Sequence, residues 1–142
     1  MTQIDCATDT PITATSRNGH GPGPGASVLR DLRPLHGELR RAIPDVYEGW
    51  GELSKAAFAE GALDRRTKEL IALAIGVVEG CDGCIASHGQ AAARAGATPQ
   101  EAAEAIGVTF LMHGGPATIH GARAFDVFCE FVDALDAGEP QA

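Results

Sequence analysis

Apolar residues recur at helical spacing along most of the chain. From Val28 onward, Ala-rich segments with a helical period alternate with short Gly or Pro interruptions, and no alternating run rich in β-branched residues appears. The pattern predicts an all-α domain of five or six helices. Helices are expected over about 29–42, 44–60, 64–78, 81–95 and 98–113, followed by a last helix with Phe125, Phe128, Phe131, Val132 and Leu135 at core spacing.

The segment 64–78 has the broadest apolar stripe, so we expect it to form the hydrophobic centre of the fold. The stripe consists of Leu70, Ile71, Leu73, Ala74, Ile75, Val77 and Val78.

Capping signals mark three of the predicted helix ends. Asp64 is suited to an N-cap, and Gly96 is suited to the left-handed position after a helix. The run Thr98-Pro99-Gln100-Glu101 contains an N-cap, a proline for the first helical position and the acidic residue of a capping box.

The chain length of 142 residues limits the protein to one domain. Residues 1–27 are rich in Thr, Gly and Pro, a composition that does not propagate helix or strand, and they are interpreted as a flexible lead-in. Residues 28–138 are predicted to form the helical domain.

Charge and hydropathy exclude some functional classes. The chain carries 19 acidic against 11 basic residues, a net charge of −8 that disfavours contact with nucleic acid. The chain contains no run of about 18 apolar residues, so no membrane span is predicted. Residues 1–9 lack a basic stretch followed by an apolar one, so a cytoplasmic location is expected. In that reducing compartment, a close cysteine pair indicates metal binding or redox catalysis.

The stretch from Cys81 to His88 carries the candidate chemistry. Cys81 and Cys84 lie at the start of a predicted helix, where the backbone N–H groups and the helix dipole stabilise a thiolate. Residues 81, 84 and 88 have the spacing of one helix face. His88 lies one turn beyond Cys84 and can accept its proton, directly or through water.

Glu69 is the candidate carboxylate that would orient the imidazole of His88. A helical wheel places it off the apolar stripe, between the small residues Ala72 and Gly76, which leave room for the cysteine helix to approach. The alternative is that Glu69 is a solvated residue following the basic positions 65, 66 and 68. Periodicity alone does not choose between the two.

The spacing Glu69-x11-Cys81-x2-Cys84-x3-His88 resembles the signature of the AhpD-like alkylhydroperoxidases, within the carboxymuconolactone decarboxylase superfamily. The resemblance extends over roughly residues 44–135 and includes the segments 63–70, 95–101 and 114–117. It implies an all-α fold that forms homo-oligomers, commonly trimers or hexamers. One departure is Gly83, which stands where the best-known AhpD proteins have a histidine.

The resemblance also implies a peroxidase cycle. Cys84, activated by His88 and Glu69, would attack a hydroperoxide, and Cys81 would then condense with the sulfenic acid to form a disulfide. No cofactor would be bound. An external dithiol, such as a lipoyl group on an acyltransferase, would reduce the disulfide, and a peroxiredoxin is a further possible partner.

Four other functions compete with the peroxidase. The dithiol could serve as a disulfide reductase or as a redox sensor for a partner protein. Cys81, Cys84 and His88 could bind zinc, with His113 or His120 as a fourth ligand, although three ligands on one helix fit a tetrahedral site poorly. Decarboxylation of a muconolactone, the reaction that names the superfamily, needs no thiols.

Overall fold

The computed structural model describes residues 23–138, and within them it contains six α-helices and no strand. This confirms the all-α prediction, whereas assembly into a homo-oligomer stays a prediction. None of the helices in this range is long and apolar enough to cross a membrane. The helices are α1 (Pro24–Ala42), α2 (Pro44–Ala57), α3 (Arg65–Glu79), α4 (Asp82–Arg94), α5 (Pro99–His113) and α6 (Gly115–Asp136).

The core lies between α3, α4, α5 and α6. Helix α4 is packed against α1, α3 and α6, and its buried face consists mainly of Ala and Gly, so the neighbouring helices approach it closely. Larger apolar side chains fill the space between the helices. They include Leu73 and Val77 of α3, Ile85 of α4, Ile106 of α5, and Phe128 and Phe131 of α6.

The apolar stripe of α3 is narrower than predicted. Leu73 and Val77 are fully buried, but Ile71 and Ile75 are about half exposed. The two isoleucines lie on a face of α3 that no other described helix covers. Only one side of the stripe therefore belongs to the core.

The predicted capping residues adopt their expected geometry. The Asp64 carboxylate accepts a hydrogen bond from Thr67 N at 2.8 Å and caps α3. Thr98 and Glu101 form the reciprocal capping box of α5, with Thr98 N to Glu101 Oε2 at 2.8 Å and Glu101 N to Thr98 Oγ1 at 3.2 Å. Gly96 has a φ of +82°, in the left-handed region.

Helix α1 begins five residues earlier than predicted, at Pro24. Its first turn is held by Glu130 of α6, whose carboxylate accepts hydrogen bonds from Gly25 N at 2.8 Å and Ala26 N at 3.0 Å. A carboxylate at a helix N-terminus both satisfies free N–H groups and interacts favourably with the helix dipole. Residues 24–27 thus belong to α1 and not to a lead-in, and residues 1–22 lie outside the described range.

Helix α2 ends at Ala57, three residues before the predicted boundary, and packs on α1 alone among the described helices. It has no buried residue, and Val46, Trp50 and Leu53 are each at least 60% exposed. Its C-terminal end is tied to α3, because Lys68 Nζ donates a hydrogen bond to Ala57 O at 2.9 Å and another to Ala59 O.

Candidate active site

A tight turn joins α3 to α4 and sets the position of the dithiol. Gly80 ends α3 with a φ of +61°, a left-handed conformation that favours glycine. Two backbone hydrogen bonds close the end of the helix: Gly80 N donates to Val77 O at 3.2 Å, and Cys81 N donates to Gly76 O at 3.1 Å. Helix α4 then begins at once, so α3 and α4 form a helical hairpin.

Cys81 and Cys84 are joined in a disulfide, with their Cα atoms 5.2 Å apart. Cys81 is the N-cap of α4 and not a residue of its first turn, which differs slightly from the sequence prediction. Its Sγ accepts a hydrogen bond from Cys84 N at 3.2 Å. Sulfur at a helix N-terminus is where a thiolate is stabilised after reduction.

The close approach of α3 and α4 depends on Gly76. A Cβ atom at this position would lie 3.2 Å from Cys84 Cβ and 3.3 Å from Ile85 N. These distances are tighter than ordinary van der Waals contact, so a side chain here would press on the first turn of α4. The prediction that a small residue beside Glu69 leaves room for the cysteine helix agrees with this geometry.

Glu69 and His88 form a hydrogen-bonded pair across the hairpin. The Glu69 side chain is only 2% exposed, and its Oε2 lies 2.8 Å from His88 Nδ1. An ionised carboxylate only accepts hydrogen bonds, so this contact places a proton on Nδ1 and leaves Nε2 of a neutral imidazole as an acceptor. Because its side chain is buried, Glu69 is not a solvated residue, and that alternative is wrong.

Two residues of this cluster, Arg65 and Phe58, are not among those predicted from the sequence. Arg65 Nη2 donates to Glu69 Oε1 at 2.9 Å, and the Phe58 ring stacks on the His88 ring with centroids 5.7 Å apart and planes at 28°. The spacing of Arg65 and Glu69 is that of a helical ion pair, and this signal could have indicated Arg65. No local signal in the sequence indicates that Phe58 reaches the imidazole.

Helix α1 packs against the first turn of α4 at Gly83. A Cβ atom on Gly83 would lie 3.0 Å from Leu32 Cδ1. The space that a side chain at position 83 would enter, next to Cys84, is thus partly filled by Leu32 of α1. A histidine at position 83 would require Leu32 to move.

The residues of the zinc alternative are not brought together as a ligand set. His88 turns toward Glu69, and His113 is exposed at the end of α5. The His120 ring lies against Gly80, and its buried Nδ1 has no hydrogen-bond partner within residues 23–138. The same range contains no group of three or more His, Cys, Asp or Glu residues arranged to hold a metal ion.

The fold and the site define a class of protein, an all-helical domain in which a CxxC pair at a helix N-terminus lies beside a buried carboxylate–histidine pair. The model of the carboxymuconolactone decarboxylase family matches residues 44–126, and the chain belongs to that family. The match agrees with the superfamily that the motif resembles.

The chain is also similar to a protein without a family name and to solved structures of two proteins that bear the family's name. A protein from the cox locus of Paracoccus denitrificans is 44% identical over 94 residues, which cover 66% of this chain and 85% of that protein. A carboxymuconolactone decarboxylase family protein from Legionella pneumophila is 36% identical, with a TM-score of 0.74 over 76% of this chain and 96% of that chain. A family protein from Thermotoga maritima, for which involvement in an antioxidative response is suggested, is 27% identical, with a TM-score of 0.70 over 82% and 98% of the two chains.

Proposed function

We propose that this protein is an AhpD-like thiol peroxidase that reduces organic hydroperoxides through a Cys81–Cys84 dithiol–disulfide cycle. The observation that carries the proposal is the hydrogen bond between buried Glu69 and His88 Nδ1, one helical turn beyond Cys84. A structural disulfide needs no such relay, whereas a thiol nucleophile needs a nearby base. The antioxidative response suggested for the Thermotoga maritima protein is consistent with this activity.

The cycle uses the two cysteines in different roles. The Cys84 thiolate attacks the terminal oxygen of the hydroperoxide, so an S–O bond forms, the O–O bond breaks and the alcohol leaves with a proton. The Cys81 thiol then attacks the Cys84 sulfenic acid, which forms the disulfide and releases water. An external dithiol such as dihydrolipoamide transfers two electrons and two protons and restores both thiols.

His88 and Glu69 would serve the first step. With its proton on Nδ1, the imidazole offers Nε2 to accept the Cys84 proton and later to return it to the leaving alkoxide. Glu69 holds the imidazole in this tautomer and balances the positive charge that forms on it, as the carboxylate does in a catalytic triad.

The donor, the oligomer and the location belong to the proposal as well. The dithiol donor is taken to be a lipoyl group or a partner such as a peroxiredoxin, and the active form is taken to be a homo-oligomer. A cytoplasmic location would supply the reducing conditions that return the disulfide to the dithiol.

The test is peroxide consumption by the reduced protein with dihydrolipoamide as donor. We expect Cys84→Ser and Cys81→Ser to abolish turnover. We expect Glu69→Gln and His88→Gln to lower it by about 100-fold or more, the usual contribution of a positioned base. Glu79→Gln on an exposed part of α3 and His113→Gln at the exposed end of α5 are the matched controls, and both should retain activity.

Absence of turnover in the wild-type protein would contradict the peroxidase. Reversible formation of the Cys81–Cys84 disulfide under those conditions would then favour the disulfide reductase or the redox sensor. Decarboxylation of a muconolactone that persists in Cys84→Ser would instead favour the activity for which the family is named.

A further inference from the structure

We propose that Arg65 and Phe58 are positioning residues of the relay. Arg65 fixes the Glu69 carboxylate by binding Oε1, the oxygen that does not contact His88. Phe58 restrains the plane of the His88 imidazole. This inference deepens the proposed function and rests on the relay role of His88. Neither residue belongs to the four-residue spacing that indicated the site.

The two oxygens of Glu69 have separate partners. Oε1 accepts from Arg65 Nη2 at 2.9 Å, and Oε2 contacts His88 Nδ1 at 2.8 Å. The terminal torsion of a glutamate is broad, so a carboxylate with one partner can rotate away from its best geometry. With an arginine bound to the other oxygen, the carboxylate plane is fixed and Oε2 stays directed at the imidazole.

Phe58 contacts both ends of this chain of hydrogen bonds. Its ring lies 5.7 Å from the His88 ring at 28°, and the Arg65 guanidinium carbon lies 5.5 Å from its centroid. An imidazole held only at Nδ1 can still pivot about that hydrogen bond. A stacked aromatic ring limits this pivot and so restrains the direction in which Nε2 points.

The position of Phe58 is itself set by α3. Lys68 Nζ donates to the carbonyl oxygens of Ala57 and Ala59, the two residues that flank Phe58. Lys68 lies between Arg65 and Glu69 on the same helix, one residue before Glu69. The first turns of α3 therefore supply the carboxylate, its cation and the anchor for the aromatic ring.

The experiment measures the reactivity of Cys84 in a Cys81→Ser background, so that no disulfide forms between the pair. The rate of alkylation by iodoacetamide is followed on the peptide that contains Cys84. We expect Arg65→Ala to lower the rate by about tenfold, a fraction of the contribution of the base itself. Arg65→Lys, which keeps the charge at the same helical spacing, should recover most of it.

Arg66→Ala is the matched control. Arg66 is the next residue and is similarly exposed, at 41% against 56% for Arg65, but its guanidinium pairs with Asp64 at 3.6 Å and Glu101 at 3.3 Å. Its removal should leave the alkylation rate unchanged. If Arg65→Ala fails to fold, Arg65→Gln replaces it, since the amide keeps a neutral donor.

The second measurement is the nitrogen spectrum of ¹⁵N-histidine-labelled protein. The wild-type His88 should show the tautomer protonated on Nδ1. Arg65→Ala and Phe58→Leu should reduce or broaden that signal, which a purely structural role would leave intact. Phe58→Leu keeps an apolar side chain but removes the stacking.

The inference is overturned if Arg65→Ala leaves both the alkylation rate and the His88 signal unchanged, or if Arg66→Ala lowers the rate equally. A wild-type protein that turns over no peroxide, but whose Cys84 reactivity depends on Arg65 as described, would refute the peroxidase and support the positioning role. Normal peroxide turnover without any effect of Arg65 would support the peroxidase and refute the positioning role.

Discussion

Placing a methyl group on Gly76 tests whether the α3–α4 contact determines both the stability and the chemistry of the site. The new Cβ atom of Gly76→Ala would lie 3.2 Å from Cys84 Cβ and 3.3 Å from Ile85 N. One of these atoms is backbone, so rotation of a side chain alone does not relieve the contact. Helix α4 would have to move away from α3 by a few tenths of an ångström.

The magnitude follows from two opposing terms. Replacing glycine by alanine within a helix stabilises it by about 0.5–1 kcal/mol, because the unfolded glycine has more conformational freedom. Overpacking a close contact costs about 1–3 kcal/mol. Gly107→Ala in α5 isolates the first term, since a Cβ atom at Gly107 meets nothing within 4 Å. The difference between the two variants should therefore be about 1–3 kcal/mol, the overpacking cost alone.

The assay is urea unfolding of both variants and the wild type, at one protein concentration and in the reduced state. Gly107→Ala should be more stable than the wild type, and Gly76→Ala should be less stable than Gly107→Ala by the stated difference. The rate of Cys84 alkylation should change in Gly76→Ala only. Equal stabilisation by both alanines would refute the argument that α3 and α4 are in limiting contact at Gly76.

Three further predictions concern two helix N-termini and the contact of α1 with the first turn of α4. Glu130→Ala should lower the free energy of unfolding by about 1–2 kcal/mol and remove hydrogen-exchange protection from Gly25 N, because α1 loses its cap. The hydrogen bond from Thr67 holds the pKa of Asp64 below its ordinary value of 3.8, so the stability difference between the wild type and Asp64→Ala should be constant above about pH 5 and disappear as the pH falls through that lowered pKa. Gly83→His should destabilise the reduced protein because Leu32 Cδ1 occupies the space, and adding Leu32→Ala should restore stability in a double-mutant cycle.

The sequence predicts those parts of the fold that depend on neighbouring residues. The capping box at Thr98 and Glu101 closes within four residues, and Asp64 caps the helix that follows it directly. The start of α1 could not be predicted in this way. Its cap is Glu130, which is more than 100 residues away in the chain, and the local sequence around Gly25 by itself indicates a break.

The same distinction explains which site residues were found. Glu69 lies 11 residues before Gly80, and His88 lies eight after it. At a rise of about 1.5 Å per residue, the two side chains are about 16 Å and 12 Å from the turn along antiparallel helices, close enough in height for a hydrogen bond. Spacing along a short hairpin therefore predicts the contact, as the observed 2.8 Å distance between Glu69 Oε2 and His88 Nδ1 illustrates.

Residues outside the hairpin decide what surrounds this chemistry. Phe58 reaches His88 from the end of α2, and Leu32 reaches Gly83 from α1. Both helices lie outside the core formed by α3 to α6, and α2 is joined to that core through α1 and the Lys68 hydrogen bonds. A substitution of Leu32 in α1 can therefore change access to Cys84 while the hairpin keeps the Glu69–His88 hydrogen bond. For the proposed peroxidase, substitutions of Leu32 that leave the Glu69–His88 hydrogen bond intact should accordingly alter the preference among hydroperoxides before they alter the reactivity of the thiol itself.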